Sequence, residues 1–170
     1  MRPIKFRGKS LKNKKWVYGD LMRNVCATRI VRYKETDDQS GQRAEWGYIE
    51  VEDSTVGQST GLKDENGKEI YEGDIIYGCY KYDALSADGA VIPDNDCLCK
   101  GVVRFSEARL QWVLDIFWAE YHIRRWLDEG DDTEIPLVHF EYESPEFNMS
   151  LLEVIGNIHD NPEMMKGDLK

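Results

Sequence analysis

Residues 56–76 read VGQSTGLKDENGKEIYEGDII, and this stretch decides the class of fold. Asn66-Gly67 stands at the tip of a polar turn, Lys63–Lys68. Asn-Gly is typical of a two-residue type I′ hairpin loop, because that loop needs two positive φ angles. A short extended run, a second tight turn and a strand from Ile75 follow. Short strands joined by tight turns are typical of a small β-barrel.

The clearest strand outside this stretch has apolar residues at every second position. They are Leu110, Trp112, Leu114, Ile116 and Trp118. Since side chains alternate across a strand, this spacing predicts that all five share one buried face.

Weaker patterns complete the predicted organisation. Strands are predicted at residues 3–8, 16–25, 26–32 and 46–51, as a small N-terminal antiparallel unit, and later at 75–82, 101–105, 137–142 and 152–158. Residues 83–99 are rich in Gly, Pro and Asp, which favours a loop, and residues 119–129 favour a helix. Asn161-Pro162-Glu163 predicts a short C-terminal helix, with Asn as its N-cap and Pro at its first position.

Composition restricts the class of protein. The chain has 170 residues, enough for one domain or one domain with a small appendage. No apolar run approaches the roughly 18 residues that cross a membrane, and the basic start is not followed by the apolar core of a secretory signal. We therefore expect a cytoplasmic protein with no membrane partner, whose four cysteines are reduced thiols.

The charge of the chain is divided along its length. The net charge is −10. Residues 1–34 hold eleven Lys or Arg and one acid, and residues 35–170 hold eleven Lys or Arg and thirty-one acids. This polarity indicates a solvated basic strand face, self-association of opposite charges, or a basic nucleic-acid patch. We expect a homo-oligomer whose interface involves residues 1–34 and weakens, without vanishing, in high salt.

Four stretches resemble the YopX-like family of phage and prophage proteins. They are IKFRG at 4–8 with WVYGDL at 16–21, the stretch quoted above, GVVRF at 101–105, and VIGNIHDNPE at 154–163. The resemblance implies an SH3-like small β-barrel with an additional N-terminal antiparallel β unit. On this interpretation residues 1–53 form the N-terminal unit and residues 54–170 the barrel, with insertions near 83–100 and 119–147.

The same resemblance implies no known activity and no catalytic residues. SH3-like barrels are mostly interaction modules, so we expect a non-enzymatic phage or prophage accessory protein that binds a phage or host protein. We expect no catalytic, cofactor or metal site.

Three possible metal or catalytic sites match their known sequence patterns poorly. Zinc could be held by Cys97 and Cys99 with Cys79 and either His122 or His139, but a single residue between cysteines is short for a zinc site. His139-Phe140-Glu141 matches the H-x-E of zinc deaminases, but the P-C-x-x-C that should follow is absent. The acids near Gly67 lack the spacing of an EF-hand calcium loop.

A possible binding surface lies in the basic N-terminal strands. Its residues are Lys5, Arg7, Lys9, Lys12, Lys14, Lys15 and Trp16. Cations interleaved with aromatic rings suit single-stranded nucleic acid, because bases stack on rings while cations contact phosphates. The alternative is that the aromatic residues are core and the lysines are solvated, and we favour it. Nucleic-acid binding is therefore the second function, behind protein interaction.

Overall fold

The computed structural model describes residues 4–36, 43–85, 91–120, 134–137 and 148–166. The described residues are mainly β-structure, as predicted, and their strands form two antiparallel sheets. The chain divides into two compact units, Met1–Gly61 and Leu62–Lys170, whereas the sequence suggested a division after residue 53. No helix in the described ranges is both long and apolar enough to cross a membrane.

The N-terminal unit is an antiparallel sheet. Its elements are β1 (Phe6–Lys9), β2 (Trp16–Arg23), β3 (Thr28–Thr36), β4 (Arg43–Glu50), a 3₁₀ turn (Asp53–Thr55) and β5 (Gly57–Lys63). The strand order is β4-β3-β2-β1-β5. After β4, Val51 forms an isolated antiparallel bridge with Ser10 at the end of β1.

One face of this sheet carries a small apolar core. Val17, Ile30 and Val51 are its buried members, and Phe6, Leu21, Ile49 and Val56 pack against them. Val17 and Leu21 point to the same side of β2, because they lie an even number of residues apart. Trp16 and Tyr18 consequently point to the other side.

The second unit is built on a five-stranded antiparallel sheet. Its elements are β6 (Glu69–Tyr71), β7 (Asp74–Leu85), β8 (Val91–Ser106), β9 (Gln111–Ala119), β10 (Glu134–Pro136), β11 (Asn148–Asn157) and a 3₁₀ helix (Pro162–Lys166). The order of its five-stranded sheet is β10-β9-β8-β7-β11. The described strands close no barrel, so the SH3-like barrel is not confirmed. The predicted C-terminal helix is a single 3₁₀ segment.

Residues 83–85 and 91–99, the described part of the predicted loop, are strand, so the loop prediction is wrong there. β7 continues to Leu85, and β8 begins at Val91 and pairs with it. The register shifts between Tyr82 and Ala84, opposite Asn95 and Ile92, so Pro93 lies at a β-bulge. A bulge accommodates proline because one residue there leaves the hydrogen-bonded ladder. The described part of this stretch therefore extends the β7–β8 ladder.

The Asn66-Gly67 turn exists, but its type differs from the prediction. Gly67 N–H donates to the Asp64 carbonyl at 2.9 Å, and Asp64 N–H donates to the Lys68 carbonyl at 2.9 Å. Gly67 has a φ of 79°, and Asn66 does not have a positive φ. This is the three-residue loop in which a type I turn precedes a left-handed glycine.

The prediction that five alternating residues share one buried face of β9 is confirmed at the centre of the strand and wrong at both ends of the set. Leu114 and Ile116 are fully buried in the core of the second unit, and Trp112 packs partly against it. Leu110 lies in the turn before the strand, 78% exposed. Trp118 leaves the inner face because Phe117 is an extra residue between two β8 pairs, Lys100↔Trp118 and Gly101↔Ile116. Such a bulge reverses the alternation beyond it, so Ala119 joins the core instead.

Two other predicted elements fall mainly outside the described residues. The helix at 119–129 overlaps them only at Ala119, where β9 ends, and at Glu120. The strand at 137–142 overlaps them only at Leu137, next to β10.

The hairpin turn can be tested by placing a β-branched residue at its glycine. Gly67→Val should lower the free energy of unfolding by about 1–2 kcal/mol, because a side chain is costly at positive φ. A Cβ at this position would meet no atom within 4 Å, so the cost is conformational and not steric crowding. Urea denaturation measures it, with Gly67→Asn as a control that tolerates the left-handed region better. Unchanged stability in Gly67→Val would contradict the turn.

The interpretation of β9 can be tested with two leucines of the same alternating set. Leu114→Ala should cost about 2–5 kcal/mol because it leaves a cavity in a closed core. Leu110→Ala should change stability by less than about 0.5 kcal/mol, since its side chain is mostly in solvent. Equal losses from the two variants, measured by thermal or urea unfolding, would show that the register is wrong.

Candidate functional site

The N-terminal sheet places cations and aromatic rings together on the face opposite its core. Lys9 pairs with Trp16 and Arg7 with Tyr18 between β1 and β2, so these four residues share that face. We call this side of β1–β4 the basic face. Its described side chains are Arg7, Lys9, Trp16, Tyr18, Asp20, Met22, Arg29, Val31, Tyr48 and Glu50.

Trp16 is the centre of one cation–π cluster on the basic face. The Arg7 guanidinium carbon lies 4.6 Å from the centroid of the Trp16 ring, and Lys9 Nζ lies 5.5 Å from it. Arg7 is only 5% exposed, so desolvation strengthens this attraction. Arg7 therefore stabilises the sheet and presents little surface to a partner, unlike the exposed role predicted for it.

The remaining predicted binding residues lie around this cluster. Lys5 directly precedes β1 and is half-buried, whereas Lys12, Lys14 and Lys15 are exposed in the turn between β1 and β2. Lys14 Nζ lies 3.3 Å from Glu52 Oε2, with both side chains well exposed. An exposed ion pair of this kind contributes about 0–1 kcal/mol, so it restrains Lys14 only weakly.

Sequence reasoning missed a second cation–aromatic pair on the same face. The Arg29 guanidinium carbon lies 5.0 Å from the centroid of the Tyr48 ring, and Arg29 Nη2 lies 2.8 Å from Glu50 Oε1. Tyr48 is 56% exposed and Tyr18 is 46% exposed. The pair depends on the register between β3 and β4, Arg29↔Glu50 and Val31↔Tyr48, which no local sequence pattern reveals.

The Asp64 carboxylate of the quoted hairpin accepts hydrogen bonds from three backbone N–H groups. Asp64 Oδ1 accepts hydrogen bonds from Asn66 N–H at 2.9 Å and Lys68 N–H at 2.8 Å. Asp64 Oδ2 accepts one from Val154 N–H of β11 at 3.2 Å. Glu65 N–H donates to the Leu152 carbonyl at 2.9 Å. These bonds bind the hairpin to β11 and leave Asp64 occupied by backbone donors, which argues against calcium binding.

The stretch after β11 is organised by two asparagines in the same way. Asn157 Oδ1 accepts hydrogen bonds from His159 N–H at 3.0 Å and Asp160 N–H at 2.9 Å. Asn161 Oδ1 accepts one from Asn157 N–H at 3.3 Å. A Cβ on Gly156 would come within 2.7 Å of Asn161 Oδ1, so glycine gives the space for this turn. The asparagines of this stretch therefore have a structural role, because their side chains hold the turn that follows β11.

Comparison with known proteins agrees with these motifs. The model of the family described as YopX protein matches residues 5–166. The chain belongs to the YopX family. No curated protein matches it. Among solved structures it is similar to protein EF1440 from Enterococcus faecalis, with 20% identity over 97% of this chain and 99% of that one and a TM-score of 0.46.

The cysteines of this YopX-family chain do not assemble a metal site in the described residues. Cys99 pairs with Gly78 and Cys79 pairs with Leu98, so the two buried thiols lie on opposite faces of the β7–β8 ladder. Cys99 packs in the apolar core, where it behaves as a small hydrophobic residue. The Cys97 side chain, His122 and His139-Phe140-Glu141 fall outside what is described. In the remainder, no three His, Cys, Asp or Glu side chains are grouped for a metal ion.

The structural role of Asp64 gives a direct stability test. Asp64→Ala should lower the free energy of unfolding by at least about 1–3 kcal/mol, because the buried Val154 N–H loses its acceptor. Glu65→Ala is the matched control, since its exposed side chain leaves the hairpin bonds in place and should cost less than about 0.5 kcal/mol. Chemical denaturation compares the two. Similar stabilities would mean that the carboxylate does not hold the hairpin to β11.

Proposed function

We propose that this YopX-family protein is a non-enzymatic interaction module, and that the basic face of its N-terminal unit binds an acidic protein surface. The observation that carries this proposal is the pair of exposed rings, Tyr18 and Tyr48, set among cations on one sheet face. Tyrosine at an interface supplies a large, rigid contact area together with a hydroxyl group. The lysines of the adjoining turn add positive charge without being buried.

Charge complementarity selects the class of partner. Residues 1–34 carry a formal charge of about +10, so an acidic surface is attracted to this end of the chain. The other 136 residues of the same chain carry about −20, so a second copy is one such acidic partner. This is the basis for expecting a homo-oligomer that weakens, without vanishing, in high salt, beside a phage or host protein as the cellular partner.

The wider biological setting in this proposal rests on the family resemblance. It implies a cytoplasmic accessory protein of a phage or prophage with an SH3-like barrel in the second unit. The continuous antiparallel pairing of β7, β8 and β9 supports a barrel-type meander. SH3-like barrels are mostly interaction modules, which agrees with a binding role, although a fold alone does not determine a function.

Nucleic-acid binding is the second candidate, and the basic face also favours it. Exposed tyrosine rings beside arginine and lysine are the usual platform for single-stranded nucleic acid. Two observations weigh against it. Arg7 and Lys9 are already directed at Trp16, and the whole chain is acidic, which repels phosphates at long range.

The proposed function can be tested with an acidic polypeptide. Polyglutamate should bind the full chain at low salt, and Tyr18→Ala with Tyr48→Ala should weaken that binding at least about tenfold, as removal of interface anchors does. Lys68→Ala, an exposed lysine of the second unit, is the control and should bind like the parent. Fluorescence anisotropy gives the affinities. Indistinguishable binding by all three proteins would remove the basic face as the site.

The alternative function has its own test. A labelled single-stranded oligonucleotide should bind no more tightly than the non-specific range, a Kd of about 10⁻⁴–10⁻⁶ M at physiological salt. Any binding should weaken steeply as salt rises, since neutralised phosphates release counterions. Suppose instead that the oligonucleotide binds specifically with a submicromolar Kd, and that the variant with both Tyr18→Ala and Tyr48→Ala loses this binding. The partner of the basic face would then be nucleic acid and not an acidic protein.

A further inference from the structure

The outer edges of the two sheets differ in how they are protected. A strand at the edge of a sheet presents unused N–H and C=O groups, which can pair with another strand unless they are blocked. In the second unit the edge strands are β10 and β11, and in the N-terminal unit β4 lies at one end of its sheet.

Both edges of the five-stranded sheet carry protection. On β11, Val154 N–H is bound by Asp64 Oδ2 at 3.2 Å, and the Leu152 carbonyl is bound by Glu65 N–H at 2.9 Å. The hairpin loop thus occupies two outward groups in the middle of that strand. In the part of the chain that the structure describes, β10 has three residues and ends in Pro136, and both a short strand and a proline limit pairing at an edge.

β4 is longer and has neither protection. It has eight residues, Arg43–Glu50, and contains no proline. Val51 N–H donates a hydrogen bond to the Thr28 carbonyl. In the register that this bond sets, Glu50 lies opposite Arg29 as a pair without backbone hydrogen bonds between its two residues, so the backbone groups of Glu50 point away from β3. By alternation, the N–H and C=O groups of Ala44, Trp46 and Tyr48 also point away from β3.

Only one outward group of β4 has a backbone partner among the residues that the structure describes. The Glu50 carbonyl accepts a hydrogen bond from Leu11 N–H at 3.0 Å. Between Arg43 and Tyr48 no such bond is made on the outer side within the described ranges. The available groups are therefore those of Ala44, Trp46 and Tyr48, which are evenly spaced about Trp46.

We propose that a second copy of this chain pairs with β4 along this edge, antiparallel and with Trp46 on the two-fold axis. In that register Trp46 faces Trp46 and Ala44 faces Tyr48, so every available outward group of each copy meets one of the other. A symmetric dimer requires a self-complementary contact of this kind. The Glu50 carbonyl, already bonded, is not needed.

Charge along β4 selects the antiparallel direction. Arg43 stands at one end of the strand and Glu50 at the other. Antiparallel pairing about Trp46 brings the basic end of each copy beside the acidic end of the other, whereas parallel pairing would place like charges opposite each other. The proposal concerns an edge, and it is independent of the basic face and of the partner proposed for it.

The first test uses proline as an edge blocker in the full-length chain. Trp46→Pro removes an outward N–H and no bond to β3, so the fold should persist while self-association weakens at least about tenfold. Light scattering at about 50 µM should give a dimer for the parent chain, and the dimer should persist in about 1 M salt because backbone pairing is not screened. Circular dichroism confirms that the variant is folded.

A second measurement does not depend on the fold tolerating proline. In a Cys26→Ser background, Trp46→Cys treated with a thiol oxidant should form a disulfide-linked dimer. The opposed residues of a hydrogen-bonded antiparallel pair lie about 5.5 Å apart between Cα atoms, within the roughly 4.4–6.8 Å that a disulfide spans. Val25→Cys in the same background, at a fully exposed turn position, should cross-link far less.

Three results would overturn the inference. One is a parent chain that is monomeric at both salt concentrations. Another is equal cross-linking by the two cysteine variants. The third is an oligomer that dissociates in high salt and is unchanged by Trp46→Pro, which would assign self-association to charge. None of these results bears on whether the basic face binds polyglutamate, so the two proposals fail separately.

Discussion

The carboxylate of Asp64 joins parts of the second unit that are far apart in the sequence. It shapes the hairpin through Asn66 and Lys68 and, across 90 residues, bonds Val154 of β11. Asp64 is only 7% exposed, and its bond to Val154 is buried, so the Val154 N–H has no water to replace this acceptor. The bond from Val154 to Asp64 agrees with the register in which β11 pairs with β7 and with the position of β11 at the edge of the sheet. The hairpin is therefore a structural brace, and it also covers an edge that would otherwise attract another strand.

The motifs that identify the family have a structural explanation. In the hairpin and in the turn after β11, aspartate and asparagine oxygens accept backbone N–H groups at short range, the usual way in which these residues organise turns. Arg7 in the first motif packs on Trp16. Residues committed to such bonds are poor candidates for catalysis. Binding is better sought where side chains remain exposed, as Tyr18 and Tyr48 do on the basic face.

The two proposals separate two kinds of association. A charged and aromatic face favours fast, salt-sensitive encounters with an acidic partner, because exposed charges act at long range and are screened. A strand edge favours a geometrically defined contact, because backbone groups must align in one register. A chain with both features could present two basic faces from one dimer, which would increase its avidity for a large acidic partner.

Local patterns determined a large part of this fold. The class of fold, the hairpin glycine and the centre of β9 follow from turn residues and from alternation, since both act over a few neighbouring residues. Alternation failed at Trp118 because the bulge at Phe117 depends on how β8 pairs with β9. The loop prediction for residues 83–99 failed because a long partner strand overrode the local preference of Pro93 and its neighbours. For the candidate site, the sequence located the basic strands but not the burial of Arg7 or the Arg29–Tyr48 pair. Only the tertiary structure decided these features, since the register between strands sets which side chains meet and which edge stays open.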